Sequence, residues 1–474
     1  MRKQYVATLA LNAAIVLMIL LKECLVLQLA VCFLGTMCIL AIASRNDVKP
    51  HDDESQVARR MMLALAALLL CCGLSYSHNC RMSSRPFAID GVRWAQGTLC
   101  QDSSVTRKGG TLLNVNIRKV RNDFIEASAS VSIAVYVRDA QYRGIYGDLV
   151  ELHGLKRSDD DDLYFADSCL VIKRNPLSSL RARLLTSAEK RIMTVTNRFR
   201  DDVDLAAKGL AMKLLFARSI ADIDDELRPL VRKTGLAFVF ALSGMHLNVV
   251  ASLIRRFLRR RTTAVKSGVV AVILVAAYFA FASRSASFIR AYLMFLLSFA
   301  FPCGFLISLP VAFLMQNVFF PLTVASVSFD YSYLATCGIL LLHKPISIAL
   351  LMRVGKTISG YFSLGLSAVL LSAVVGLSSN GEFVAMSLIV GPIAAVLASC
   401  FIVLAMFLVA FRKSSFFSHV ARYLYLAMEK ALELGAGISF DTGWMGYVCV
   451  ALAVLLVFVV ALSKALPKAG RLES

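Results

Sequence analysis

The chain has 474 residues, of which 58% are hydrophobic and only 17% charged, against roughly 45–50% apolar in an average soluble domain. Its mean hydropathy of +0.68 excludes a soluble enzyme of this size, a disordered chain and a low-complexity repeat protein. The net charge of +20, from 51 Lys and Arg against 31 Asp and Glu, fits cytoplasmic loops and anionic lipid as well as a polyanionic partner such as nucleic acid.

A helix needs about 20 apolar residues to cross roughly 30 Å of hydrocarbon. Val6–Leu21 and Cys24–Ala43 are two such runs, split by Lys22 and Glu23, and Met61–Tyr76 is a third. After a long polar stretch the apolar pattern resumes at Gly235–Ile254, Gly268–Ala282, Ser287–Phe301 and Leu309–Val327. It continues at Tyr331–Leu351, Ser359–Leu377, Phe383–Phe411 and Trp444–Leu462. The expected fold class is a polytopic α-helical membrane protein of about eleven spans with an inserted extracytoplasmic β-domain.

Basic residues in short loops orient the spans. Arg2 and Lys3 set the N-terminus inside, and Arg45, Lys49, Arg59 and Arg60 set the loop after the second span inside. The third span then leads out, which makes the polar segment external. Gly235–Ile254 returns to the densest basic cluster, Arg255, Arg256, Arg259, Arg260 and Arg261. His343, Lys344, Arg353, Lys356, Arg412 and Lys413 fall inside on the same count. The tail is the exception: eleven spans leave Lys464, Lys468 and Arg471 outside.

Within the polar segment, period-two alternation marks strands at Ala88–Leu99, Leu112–Val120, Ser130–Val137, Asp148–Leu155 and Leu163–Ile172. Gly109 with Gly110, residues 121–123, Gly144–Gly147 and the solvated acidic run Asp159–Asp162 supply turns. Five strands in so short a span suggest a small barrel, and the OB-fold is the commonest of that kind. Such barrels bind single strands through basic grooves and aromatic stacking. The candidates here are Lys108, Arg118, Lys119, Arg121, Arg138, Tyr136, Tyr142, Arg143 and Tyr146. Leu180–Thr234 reads as amphipathic helix along the outer membrane surface. The expected domains are 1–77 (N-terminal spans), 78–176 (barrel), 177–234 (linker) and 235–474 (second span cluster).

Most of the twelve cysteines lie in apolar runs, where Cys acts as a small hydrophobe. Cys100 and Cys169 end the first and last predicted strands; outside the membrane they either form a disulfide or stay buried thiols. No cysteine or histidine cluster has metal-ligand spacing, so neither a metal nor a cofactor is expected.

Ionisable and polar residues inside spans are functional candidates by default. Ser243 and His246 share one helix face beside Gly244, with Asn248 following. Adjacent turns of one helix rarely supply the oxyanion hole that a Ser–His hydrolase needs, so helix–helix hydrogen bonding is preferred and no enzyme activity is expected. The stretch Gly235–Val249 resembles the SGLH motif of the ComEC family of competence proteins, with Met245 for the usual Leu. Ser285–Met294 resembles that family's PSxxRAxxM stretch, with Ser285 for Pro. Phe329–Ala335 resembles its FQLSFLA segment, and Pro321 sits where its NP precedes that segment.

The resemblance spans roughly Leu205–Ala395, and the barrel matches the family's external OB domain in place. It implies a channel of the bacterial cytoplasmic (inner) membrane that admits single-stranded DNA during natural transformation. It implies a short form, without the metallo-β-lactamase-like domain some members carry. Implied partners are single-stranded DNA, the lipid bilayer, a DNA receptor, a cytoplasmic ATPase or helicase, single-strand binding proteins and further copies of the chain. A DNA path needs a polar lining that releases phosphates, and the candidates for it are Ser243, Gly244, His246, Asn248, Arg284, Arg290 and Asp330, with Gln316 and Asn317. Arg284 alternatively snorkels to the interface, and Arg290 alternatively pairs with Asp330. A small-molecule or lipid transporter with a purely structural barrel is the competing reading.

Overall fold

The computed structural model describes residues 2–21, 25–44, 53–83, 92–105, 110–123, 125–138, 144–157, 163–174, 176–194, 202–216, 263–281, 285–300, 304–324, 326–380, 387–410 and 415–436, with scattered positions between 227 and 259. The first helices are α1 (Arg2–Leu20), α2 (Leu25–Ser44) and α3 (Asp53–Ser83). The strands are β1 (Trp94–Leu99), β2 (Ser104–Val105), β3 (Thr111–Arg121), β4 (Glu126–Val137), β5 (Leu149–His153), β6 (Lys156–Arg157), β7 (Leu163–Ala166) and β8 (Ser168–Lys173). After them come α4 (Pro176–Thr194), α5 (Asp202–Phe216), α6 (Ala264–Phe281), α7 (Ala286–Ala300) and α8 (Phe305–Phe319). The last are α9 (Val327–Val354), α10 (Lys356–Asn380), α11 (Ser387–Ala410) and α12 (Ser415–Ala436). They form two compact units, one from the described parts of Met1–His78 and Leu293–Pro392, the other from those of Asn79–Tyr292 and Ile393–Ile438.

Among the described residues, Arg60–Arg81 within α3 is long and apolar enough to cross a bilayer, and shorter apolar helices accompany it, Ala7–Leu20, Leu27–Ile39 and Ile393–Leu408 among them. Two expectations change. Leu309–Val327 is not one helix: α8 ends at Phe319, and Pro321 opens a single 3-10 turn, Pro321–Thr323, before α9 starts. Proline at the first position of that turn has no N–H to continue the preceding ladder. Ser415–Ala436, which the hydropathy reading passes over, is an amphipathic helix. It buries Ser418, Ala421, Tyr425, Met428 and Leu432, at helical spacing on one face. The expected spans Gly235–Ile254 and Trp444–Leu462 and the acidic run 159–162 lie largely or wholly outside the described residues.

In the first unit, α9 and α10 form a hairpin about Gly355, whose φ of 79° suits a residue without Cβ. Their seam is lined with small residues. A Cβ on Gly338 would stand 2.1 Å from the carbonyl oxygen of Ser367, so only glycine permits this approach. Ser359 donates to the carbonyl of Ser347 at 2.6 Å, and His343 Nδ1 lies 2.9 Å from Ser363 Oγ.

A second contact repairs a defect. Pro310 stands inside α8 and cannot donate to the carbonyl of Leu306, four residues back. Asn12 of α1, fully buried, donates to that carbonyl at 2.8 Å. Asn12→Leu should destabilise the protein by about 1 kcal/mol, read as thermal unfolding in detergent. Pro310→Ala in the Asn12→Leu background should restore most of the loss, because alanine supplies the N–H that proline lacks. Equal losses in the single and double variants would refute this account.

In the second unit the strands pair in the order β6-β7-β4-β3-β1-β5-β8, with β2 on β3. The β1–β3–β4 meander is antiparallel, and β4 pairs parallel with β7. Only Asp167 separates β7 from β8, and β8 runs antiparallel to β5, which returns to β1. The strand path therefore closes on itself. Val115, Ile117, Val135, Val150 and Leu152 are fully buried at its centre.

Two ion pairs fasten the exit of this sheet and the helix beyond it. Arg174 donates to Asp148, whose carboxylate is fully buried and also accepts the N–H of Ile145. Arg181 of α4 bonds Asp102, which also accepts the N–H of Tyr146. Helix α4 packs on α5 and α6, and α5 packs on α12. The hydroxyl of Tyr278, near the end of α6, donates to the carbonyl of Leu215 at the end of α5.

Candidate functional site

Polar side chains from three helices of the first unit converge on the turn between α8 and α9. The turn is stopped by Pro321 and held by Thr323, whose hydroxyl donates to the carbonyl of Phe320 at 2.8 Å. Ser326 caps α9 by accepting the N–H of Phe329 at 3.3 Å. Gln316, fully buried, donates to Thr323 Oγ1 at 3.1 Å and accepts the Tyr333 hydroxyl at 3.0 Å. Asn317 donates to the carbonyl of Phe313 at 2.8 Å.

Asp330, buried in the first turn of α9, accepts the hydroxyl of Tyr76 from α3 at 3.3 Å. A carboxylate in a first turn gains from the helix dipole. Around this hydrogen bond four rings pack. Tyr76 lies 5.4 Å from Phe313 and 6.0 Å from Phe329, and Tyr333 meets Phe313 edge-on at 5.0 Å. Phe329 and Tyr333 are 4.6 Å apart. The arrangement presents hydrogen-bonding groups and one carboxyl inside an aromatic shell.

In the second unit the segment from Ser285 starts α7. The Ser285 hydroxyl accepts the N–H of Phe288 at 3.3 Å, and its carbonyl accepts those of Phe288 and Ile289. Serine thus caps the helix where the motif it resembles has proline, two residue types that both suit a helix start. Phe288 and Tyr292 then stack on α6; the Phe279 and Tyr292 rings are 4.0 Å apart and nearly parallel. Arg290 lies between them in sequence and is half-buried.

Of the residues expected on the path, Arg290 belongs to the second unit and Asp330 to the first, while Ser243, Gly244, His246, Asn248 and Arg284 lie outside the described residues. Tyr76, Thr323 and Ser363 are additions that the sequence does not single out, and Tyr333 and His343 gain partners there that it does not indicate. Their only signal is a hydroxyl or imidazole in an apolar run, which a hydropathy average dilutes. Among the described residues no group of three or more His, Cys, Asp or Glu is placed to hold a metal ion.

On the barrel, Lys119 pairs with Glu126 at 3.1 Å, and the Arg121 guanidinium lies 5.1 Å over the Trp94 ring. Tyr136 meets Phe165 edge-on, and Arg118 and Arg138 are exposed. Lys108, Tyr142 and Arg143 are outside the described residues.

Cys100 and Cys169 are free thiols, the second of the two alternatives that the sequence left open. Cys169 faces Leu152 of β5, and Leu152 faces Ala95 of β1, five residues from Cys100. Two strand spacings and five residues amount to roughly 19 Å, beyond any disulfide. Burial pushes the Cys100 thiol up to about 11, partly offset by Ser132 and Asn116. Burial and the charge of Asp148 push Cys169 up to about 12. Raised values leave little thiolate near neutrality. At pH 8 both should resist alkylation in the folded protein and react once it is denatured; rapid native labelling of either, by mass spectrometry, would contradict this.

A family model described as Competence protein matches residues 215–469, more than half of the chain. The chain belongs to the competence protein family. This is a family of membrane-associated proteins linked to DNA uptake. The matched segment takes in α6 to α12 and all three sequence motifs, so the α7 cap and the Asp330 cluster, Tyr76 apart, lie in it. No curated protein and no solved structure matches the chain.

Proposed function

We propose that this competence-family protein is a multi-pass channel component that passes single-stranded DNA across the bacterial cytoplasmic membrane. In this reading about eleven apolar segments carry an OB-like barrel on the outer side. The observation that carries it is the strand path, an antiparallel meander, a parallel closing pair and an antiparallel return, which supports an OB-like reading of the domain preceding the competence segment. Barrels of this kind hold single strands on basic and aromatic surface, here that of Arg118 and Arg138. Polar groups buried among apolar helices, Asp330 with Gln316 and Tyr76, support a path that strips water from phosphates without binding them too tightly. Arg290 would contact phosphate, and Ser243, Gly244, His246, Asn248 and Arg284 would line the same path. The DNA receptor, the ATPase or helicase that powers transfer and the proteins that coat the entering strand are separate partners, and the chain itself performs no hydrolysis.

One observation favours the second reading, a small-molecule or lipid transporter with a structural barrel. Lys119 and Arg121 are engaged by Glu126 and Trp94, so part of the basic surface is already used within the barrel.

Uptake of labelled DNA in a deletion strain separates the two. Surface binding should persist and cytoplasmic entry should fall to background. Complementation with Arg290→Ala or Asp330→Asn should give normal abundance and at least about tenfold less entry, since a charge held among apolar helices is lost without a packing clash. Unimpaired entry in the deletion strain would leave the transporter reading standing.

A further inference from the structure

Strand β8 breaks the pattern of its barrel. Strands β1 and β5 alternate buried and half-buried residues, but β8 exposes residues on both faces. Leu170 is 56% exposed and Ile172 47%, with Val171 between them also exposed. Phe165 on β7 adds to this surface. The adjoining helix continues it. Leu180 is 51% exposed, and Leu184 is exposed one turn on, while Arg181 and Leu185 are buried on the other face of α4.

This geometry is fixed rather than loose. The Arg174–Asp148 pair clamps the junction of β8 and α4, and the Arg181–Asp102 pair holds the inward face of α4 to the barrel. Leu180 and Leu184 are thereby turned away from the sheet. Exposed apolar side chains held in place on both elements mark a docking face.

We infer that β8 and the outward face of α4 form one lipid-docking surface, which lays the barrel on its β8 side against the headgroup layer of the bilayer. Three observations select lipid as the occupant. Helix α4 packs on α6, an apolar helix that itself exposes Ile273 and Val269. The Tyr278–Leu215 hydrogen bond fastens the next helix, α5, near the end of α6. Exposed cations stand within the apolar surface, Lys173 at the end of β8 and Arg183 beside Leu184, the composition of an interfacial element on anionic lipid. Docking on this side leaves β3, three strands away with Arg118 and Lys119, directed to water.

The inference rests on the membrane-embedded reading above and not on DNA transport. The test uses the full-length protein reconstituted in phosphatidylethanolamine and phosphatidylglycerol vesicles with brominated acyl chains. Ile172→Trp and Leu184→Trp should each show about twofold more quenching than the unsubstituted protein, whose Trp94 and Trp444 set the background, because docked residues reach the acyl boundary. Arg118→Trp should show no gain. Adding Lys173→Glu to Ile172→Trp should reduce the quenching. If Ile172→Trp and Leu184→Trp behave like Arg118→Trp, the surface does not meet lipid and the inference falls; quenching lost together with cross-linking between copies would assign it to a second chain instead. The measurement contains no DNA, so failure of DNA entry in the uptake experiment and failure of quenching are separate results.

Discussion

A polar group carried into an apolar interior is costly unless another part of the chain hydrogen-bonds it. The carbonyl of Leu306 shows what this demands. Pro310 removes its helical donor, and the amide of Asn12, 294 residues distant in sequence, replaces it. The same demand organises the turn after α8, where Gln316 is satisfied at both ends by Thr323 and Tyr333. It also governs the α9–α10 seam, where serine hydroxyls return to nearby carbonyls and glycine brings the backbones together. Apolar side chains do not distinguish a neighbouring helix from lipid. These polar matches and close approaches therefore select the packing partners.

The barrel obeys a different balance. Its core is aliphatic and its closure comes from one chain segment serving two neighbours: β7 meets β4, the chain bends at Asp167, and β8 meets β5. That bend leaves β8 without an apolar partner on its outer side. The cost of burying Asp148 is met by Arg174 and the Ile145 amide, in keeping with the strong penalty for an unpaired buried charge. Both Arg–Asp pairs stand at the exit from the sheet, so barrel and linker helix are oriented together.

Period two made the principal strands legible in sequence to within a few residues, because aliphatic side chains alternate cleanly in Leu112–Val120 and Ser130–Val137. The short strands β2 and β6 were not legible, since two residues carry no periodicity. Hydropathy located α1 to α3 and α9 to α11, but merged α8 with the turn behind it: Phe319, Phe320 and Leu322 are apolar wherever they stand, and only Pro321 marked the break. Helix α12 was passed over because Arg422, Glu429, Lys430 and Glu433 lower its mean hydropathy although one face is buried. The choice between a Cys100–Cys169 bond and two thiols was not legible for a related reason. Strand ends that look adjacent along the chain are set apart by register, which composition does not encode.

The motifs that carried the family resemblance turn out to perform structural work at the positions described. Ser285 caps α7, Phe288 and Tyr292 hold α6, and Phe329 and Tyr333 close the aromatic shell around Asp330. A motif recognisable by its spacing is thus in good part a packing code, and its polar members are distinguished by what surrounds them. Arg290 is half-buried between two stacking aromatics in sequence, and Asp330 is held by a neutral phenol in the first turn of a capped helix. The Ser285 and Ser326 caps fix the two helix starts, so the spacing that makes each motif legible and the place of its charged residue come from the same local packing.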